Sequence, residues 1–208
     1  MNLRMLLRAC SGVLASALIV SPLSAAPLQK DGDPVAIGTY RTLHSAILGE
    51  ERQLLVHVPA DYDRTTLRYP VLFQLYGQQV TNYLADAVMT AERLGNFADI
   101  PPLIIVGVAN TDRYRDNLPI QPDGKSPAGA DAFLRFFAEE LIPFVDRHYR
   151  TKPYRLLVGP QAGAAFGLYA LTTRPGLFNA SILRISSEPA PRRKQPGSTP
   201  ITDKVPTP

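Results

Sequence analysis

The sequence of 208 residues has one cysteine, Cys10. It falls in the N-terminal leader, so the rest of the chain has no thiol nucleophile, no disulfide and no cysteine metal site, which suits an oxidising compartment. Histidine is also scarce. His44, His57 and His148 are the only three, and none stands at a metal-ligand spacing from Asp or Glu. No metal and no cofactor is therefore expected. The apolar run of the leader, Gly12 to Val20, is about half of the roughly 20 residues that a bilayer span needs. No stable membrane span is expected once the leader is removed. Nor is there a basic surplus in the domain. Lys and Arg number 22 against 18 Asp and Glu, but the excess lies at the ends: Arg4 and Arg8 before Pro27, then Arg192, Arg193, Lys194 and Lys204 against Glu188 and Asp203. The segment between is balanced, and nucleic-acid binding wants a basic face on the domain itself.

The sequence does contain an export signal by its pattern. Arg4 and Arg8 supply the positive region, "GVLASALIV" the apolar region, and "SPLSAA" small residues for cleavage after about Ala25 or Ala26. Residues 1–25 are read as a signal peptide and the protein as periplasmic or secreted, with an uncleaved anchor as the rival. Arg8 and Ala9 before Cys10 do not fit a lipoprotein acceptor. Residues 26–187 are read as one domain with 45% hydrophobic composition for the whole chain, enough for a sizeable core. Residues 188–208, "EPAPRRKQPGSTPITDKVPTP", are proline-rich with little to bury, and are expected to be disordered.

Within the domain, "TYRTLHSAI" (residues 39–47) and "RQLLVHVPA" (52–60) alternate and flank "LGEE", which predicts an antiparallel hairpin. "VLFQLYG" (71–77), "PPLIIVGVAN" (101–110), "YRLLVGP" and "FNASILRISS" (178–187) are apolar runs that fit buried strands. A helical pattern covers about Tyr83 to Leu94. "DYDRTTLRYP" and the proline-bearing stretch from Thr111 to Gly129 read as loops. "ADAFLRFFAEELIPFVDRHY" reads as a long amphipathic helix, with Phe133, Phe136, Phe137, Leu141 and Phe144 at helical spacing and Pro143 expected to kink or divide it. "AGAAFGLYALTT" reads as a helix whose small residues let it lie close to the sheet. Strands alternating with helices predict an α/β fold with a mostly parallel sheet.

"VGPQAGAAFGLYAL" (158–171) has the frame of a strand–turn–helix nucleophile elbow, G-x-S-x-G. Gly159 and Gly163 are in place, but the middle residue is Gln161. With "ERQLLVHVPADY", "YPVLFQLYG", "VGVANTDRYRDNLP" and "GADAFLRFFAEELIPFVDRHYRT", this stretch resembles the putative esterase family of α/β-hydrolases, which includes esterase D and the enterobactin esterases. The resemblance runs from about Leu43 to Ser187. It implies a three-layer α/β-hydrolase-like sandwich that lacks the last strands, and a serine–acid–histidine triad cleaving carboxylic esters through an acyl-enzyme. Carried over position by position, Gln161 occupies the nucleophile site. Ala162 offers one oxyanion N–H, and Gly77 or Gln78 offers the other. The segments that would hold the acid and the histidine lie beyond the region of resemblance.

An amide cannot replace the serine. Acyl transfer needs an oxygen or sulfur that becomes nucleophilic when a base removes its proton, and the amide nitrogen delocalises its lone pair into its carbonyl. Ser186 and Ser187 follow the last strand at the site end of the sheet but lack the elbow that would aim them. His44 and His57 read as strand residues, and His148 as a cation suited to a helix C-terminus. Arg113, Arg115 and Asp116, in "DRYRD", lie on the loop that rims the pocket in relatives; they could meet an anionic ligand or simply tie the loop together. If the sheet ends with "SILRI", that strand lies at an open edge prone to pairing, including edge-strand dimerisation. Two functional readings stay open. One is an exported pseudoenzyme, inactive as an esterase, that binds a small-molecule ester or anionic ligand. The other is a working ester hydrolase of unconventional mechanism or one completed by another chain.

Overall fold

A hairpin starts the sheet. β1 (Thr39–Ser45) and β2 (Glu50–His57) pair antiparallel, from Thr39 opposite Val56 to Ser45 opposite Glu50. Gly49 closes the turn at φ 68, a left-handed conformation that glycine adopts without strain. Residues 36–75, 80–97, 100–109, 112–120, 123–125 and 128–185 are described by this structure, a computed structural model. The leader, the proline-rich tail, Gly77, Gln78, Ser186 and Ser187 lie outside them.

After a 3₁₀ turn at Tyr62–Arg64 come β3 (Tyr69–Leu75), α1 (Val80–Phe97), β4 (Ile104–Val108) and α2 (Arg113–Asn117). Then follow α3 (Ala130–Arg135), a π-helical segment (Phe136–Leu141), α4 (Ile142–His148), β5 (Thr151–Pro160), α5 (Ala162–Thr173) and β6 (Ala180–Arg184). The strand order is β1-β2-β4-β3-β5-β6. β2 meets β4 antiparallel, while β4, β3, β5 and β6 run parallel. This is the mixed α/β sheet expected from the alternation of strands and helices.

Both faces of the sheet are covered near its centre, which is why its strands are apolar runs rather than alternations. On one face, Leu84 and Val88 of α1 pack on Leu55, Leu72 and Ile105. On the other, Phe133, Phe136, Phe137 and Phe166 join Phe73, Val106 and Leu157. Phe133 and Phe137 meet edge to face at 5.1 Å, and Phe137 lies 5.5 Å from Phe166. All four of these phenylalanines are fully buried, each stabilising the fold by about 1.5–3 kcal/mol.

Three predicted elements differ from the observed ones. β6, read within residues 178–187 as a buried strand, is exposed or half-buried at every position, because it is last in the order of the described sheet. The predicted long helix is divided, but upstream of its proline. Pro143 has no N–H for the carbonyl of Glu139 and its ring crowds that turn. The chain widens into π geometry before it, with Ile142 N–H donating to Phe137 O. The stretch from Thr111 to Gly129, expected to be loop throughout, contains α2. Asp112 caps it: its side chain accepts from the N–H groups of Tyr114 and Arg115 at 3.0 and 2.9 Å, the role for which Asp is favoured. Among the described residues no helix is long and apolar enough to cross a membrane.

Candidate active site

The elbow is built as its glycines require. β5 ends at Pro160, Gln161 turns the chain, and α5 starts at Ala162. A Cβ on Gly159 would fall inside the contact distance of the Gly163 carbonyl and 3.1 Å from Ala164 N. A Cβ on Gly163 would meet Leu75 Cβ at 3.3 Å. At Gly159, strand and helix therefore approach more closely than any side chain would permit. Gln161 sits at φ 52 and ψ −119 and is the one non-glycine residue with positive φ among those described. Its N–H donates to Arg184 O on β6 at 2.8 Å, and its carbonyl accepts from Ala164 N–H at 2.9 Å. Both bonds hold the turn in a conformation that costs about 1–3 kcal/mol for an L residue. Ala162 is the first residue of α5, where N–H groups have no acceptor within the helix. The second oxyanion donor of the resemblance, Gly77 or Gln78, lies outside the described residues.

The chain's histidines are elsewhere. His57 pairs with Ile105 at the start of β4, so it is at the end of the sheet opposite the elbow, and its Nδ1 is 2.9 Å from Ile37 O. His148 ends α4 just before β5 begins, again at the far end, with Nδ1 2.8 Å from Phe144 O. His44 is at the near end but on β1, four strand positions from β5. At about 4.8 Å per strand that is roughly 19 Å. It faces Glu51 at 2.9 Å, and both side chains are exposed.

Arg115 and Asp116 belong to a four-residue ion network beside the C-terminal end of β4. Arg52 and Asp116 are both 1% exposed and meet at 2.6 Å. Arg52 also contacts Glu50 at 2.6 Å and donates to Ala109 O. Arg115 contacts Asp116 at 2.6 Å and Glu50 at 2.9 Å. The hydrogen bond to Asp116, then that to Glu50, holds the Arg115 guanidinium above the ordinary arginine pKa despite some desolvation. The guanidinium carbon of Arg52 lies 5.4 Å from the Phe133 ring centre, and its Nε has no hydrogen-bond partner. The side chain of Arg113 lies outside the described residues. Arg52 and Glu50 were not foreseen from sequence, although Arg52 shares its strand phase with Leu54 and Val56, an inward position for a charge.

A cleft of about 390 Å³ opens between α1, the 57–64 segment and the start of β4, lined by His57, Asp61, Arg64, Glu92 and Leu103 among others. It lies at the end of the sheet opposite the elbow. Among the described residues no group of three His, Cys, Asp or Glu could hold a metal ion.

The model of the family described as Putative esterase matches residues 45–191. Ferri-bacillibactin esterase BesA of Bacillus subtilis (strain 168) is 30% identical over 133 residues, covering 55% of this chain and 46% of its own length. The uncharacterised protein YjcH of the same organism is 30% identical over 140 residues, covering 66% and 56%. The chain thus spans about half the length of the curated relatives it matches. An IroE-like serine hydrolase from Shewanella oneidensis superposes with a TM-score of 0.61 at 31% identity, over 69% of this chain and 49% of that one. Siderophore hydrolase EstB from Aspergillus nidulans shares the fold, with a TM-score of 0.60 at 23% identity over 74% and 58%.

Proposed function

The chain belongs to the putative esterase family, and from that membership we propose an exported homologue that binds an ester ligand without forming an acyl-enzyme at residue 161. One observation carries this reading: the strained elbow position that aims a nucleophile is occupied by the amide of Gln161. An amide has no deprotonated form near neutral pH that a base could generate, so neither half of acyl transfer can pass through it. The positions of His44, His57 and His148 support the same reading, because no histidine of this polypeptide reaches the elbow to serve as general base.

The ligand proposed is a small-molecule ester. BesA is named for ferri-bacillibactin, which makes that complex the first probe. Ligand at about a hundred times its Kd stabilises the folded state by about 2.7 kcal/mol through mass action. The purified chain is expected to show a rise in melting temperature with ferri-bacillibactin, no labelling by a fluorophosphonate, and no burst with p-nitrophenyl acetate. Stoichiometric fluorophosphonate labelling would overturn the inactive reading.

A second reading, a hydrolase of another mechanism or one completed by another chain, is favoured by a specific feature. The elbow strain and the Ala162 N–H at the start of α5 are retained although the hydroxyl is not. Oxyanion and binding effects alone leave about 10³–10⁴ over water in a serine protease. Gln161→Ser is the discriminating variant. It is expected to give no turnover, and burst release from it would reveal a base supplied from elsewhere.

A further inference from the structure

We propose that the four-residue ion network is a latch that fixes α2 as a wall beside the elbow, with Arg115 a positioning residue for a ligand held at residue 161, a role that rests on the elbow being the site of the proposed ester ligand. α2 has five residues, Arg113–Asn117. That is too few to hold a helix in water, where even about 12–15 are marginal. Its place is therefore set by what it is tied to. On one side the tie is backbone, at the start of α3. Gly129 N–H donates to Arg115 O at 2.6 Å, and Ala130 N–H to Leu118 O at 3.2 Å.

On the other side the tie is charge. Asp116 is buried and anchors α2 to Arg52 of β2 at 2.6 Å. Arg115 makes a second connection to the same strand. Its Nε donates to Asp116 Oδ1 at 2.6 Å, and its Nη1 and Nη2 donate to the two carboxylate oxygens of Glu50 at 3.5 and 2.9 Å. A planar fork that grips one carboxylate with two nitrogens fixes direction as well as distance. Each of the three guanidinium nitrogens thus already donates to a carboxylate. The Arg115 cation fastens α2 to the hairpin and does not serve as a receptor for a ligand anion.

The sheet order carries this tie to the elbow. β3 lies between β4 and β5, so the ends of β4 and β5 are two strand spacings, or about 10 Å, apart. α2 follows β4 and yet packs on α5, which starts at Ala162 next to Gln161. α5 joins the parallel strands β5 and β6, so it runs back along the sheet from the elbow, and α2 meets it in its first turns. The inner end of the network rests on the aromatic cluster that also carries α5. The guanidinium carbon of Arg52 is 5.4 Å from the Phe133 ring centre, and Phe133 is 5.0 Å from Phe166 of α5. α2 thus bridges the network and the helix that begins at residue 161.

Thiol labelling at the elbow tests the latch without any ligand. The parent protein carries Gln161→Cys with Cys10→Ser, which leaves one thiol in the chain. Its rate of reaction with iodoacetamide reads how freely a small molecule reaches residue 161. Arg115→Ala and, separately, Glu50→Gln in that parent are expected to raise the rate roughly threefold or more, as a wall that opens locally would. Urea melts confirm that each variant remains folded. His44→Ala breaks an exposed contact of the same hairpin and is expected to leave the rate unchanged. A smaller rise in either Arg115→Ala or Glu50→Gln overturns the proposal. So does an equal rise with His44→Ala, since general loosening of the hairpin would then explain it. No ester takes part in the labelling, so failure of the latch is read separately from failure of the ester ligand to bind.

Discussion

Replacing Gln161 by alanine and, separately, by glycine measures the strain stored at the elbow. Alanine removes everything beyond Cβ but keeps an L residue at φ 52 and ψ −119. Glycine removes the Cβ as well. The difference between the two variants therefore contains no contribution from contacts of the Gln161 amide. A residue held in this region costs about 1–3 kcal/mol. Against that, glycine gains about 0.5–1 kcal/mol of extra freedom in the unfolded chain. The glycine variant should exceed the alanine variant in stability by about 0.5–2 kcal/mol. At about 2–4 °C per kcal/mol for a domain of this size, its melting temperature should be roughly 1–8 °C higher. Urea titrations of both proteins with matching m values would check that the native state, not the compactness of the unfolded one, has changed. An alanine variant as stable as the glycine variant would refute the reasoning, since the turn would then hold no strain for the Cβ to feel.

Three further outcomes follow from the packing and the charges. Gly159→Ala drives a Cβ into the Gly163 carbonyl, and chemical denaturation should show a loss above about 3 kcal/mol or no soluble fold. Asp116→Ala leaves the buried Arg52 guanidinium with Glu50 as its carboxylate partner and should cost about 2–3 kcal/mol, below the roughly 3–5 of a fully unpaired buried charge. Arg115→Ala, at a side chain 43% exposed, should cost under about 1 kcal/mol; an inverted order in urea melts would refute the assignment of Arg52–Asp116 as the buried pair. Glu140 accepts from Ser45 Oγ at 2.5 Å and from the N–H groups of Ala46 and Ile47 at 2.9 and 3.1 Å, so Glu140→Ala should cost about 2–3 kcal/mol and speed amide exchange in the β1–β2 turn.

The parts of this molecule legible in its sequence are those governed by period and by small residues. Val71 to Leu75 and Ile104 to Val108 are apolar at every or nearly every position because both faces of their strands are covered. The glycine spacing around Gln161 reflects a strand–helix approach that excludes side chains. The less legible parts depend on contacts between segments distant in sequence. α2 looks like loop because five residues carry no helical period, and only the Asp112 cap marks its start. The π segment at Phe136–Leu141 preserves the helical spacing of its phenylalanines, so the pattern conceals the widened turn that Pro143 demands. Arg52 looks like an ordinary strand charge until α2 brings Asp116 against it. The bounds of α1 exceed the apolar pattern at both ends, because Val80–Phe97 continues as helix where few of its side chains are buried.

The elbow shows why a motif's frame and its chemistry must be weighed apart. Gly159 is required by the approach of β5 to α5 whatever residue follows it, since the obstructing atoms are backbone, while a Cβ on Gly163 would press on the side chain of Leu75. The close approach at Gly159 therefore follows from the fold and is not by itself a sign of chemistry. Ala162 is the first residue of α5, so its N–H has no acceptor within that helix. On the proposed reading, hydrolysis at this site would need both a nucleophilic side chain at position 161 and a base that reaches it. The amide of Gln161 and the placement of the three histidines bear on these two separately, which is why Gln161→Ser alone is expected to leave the site inert.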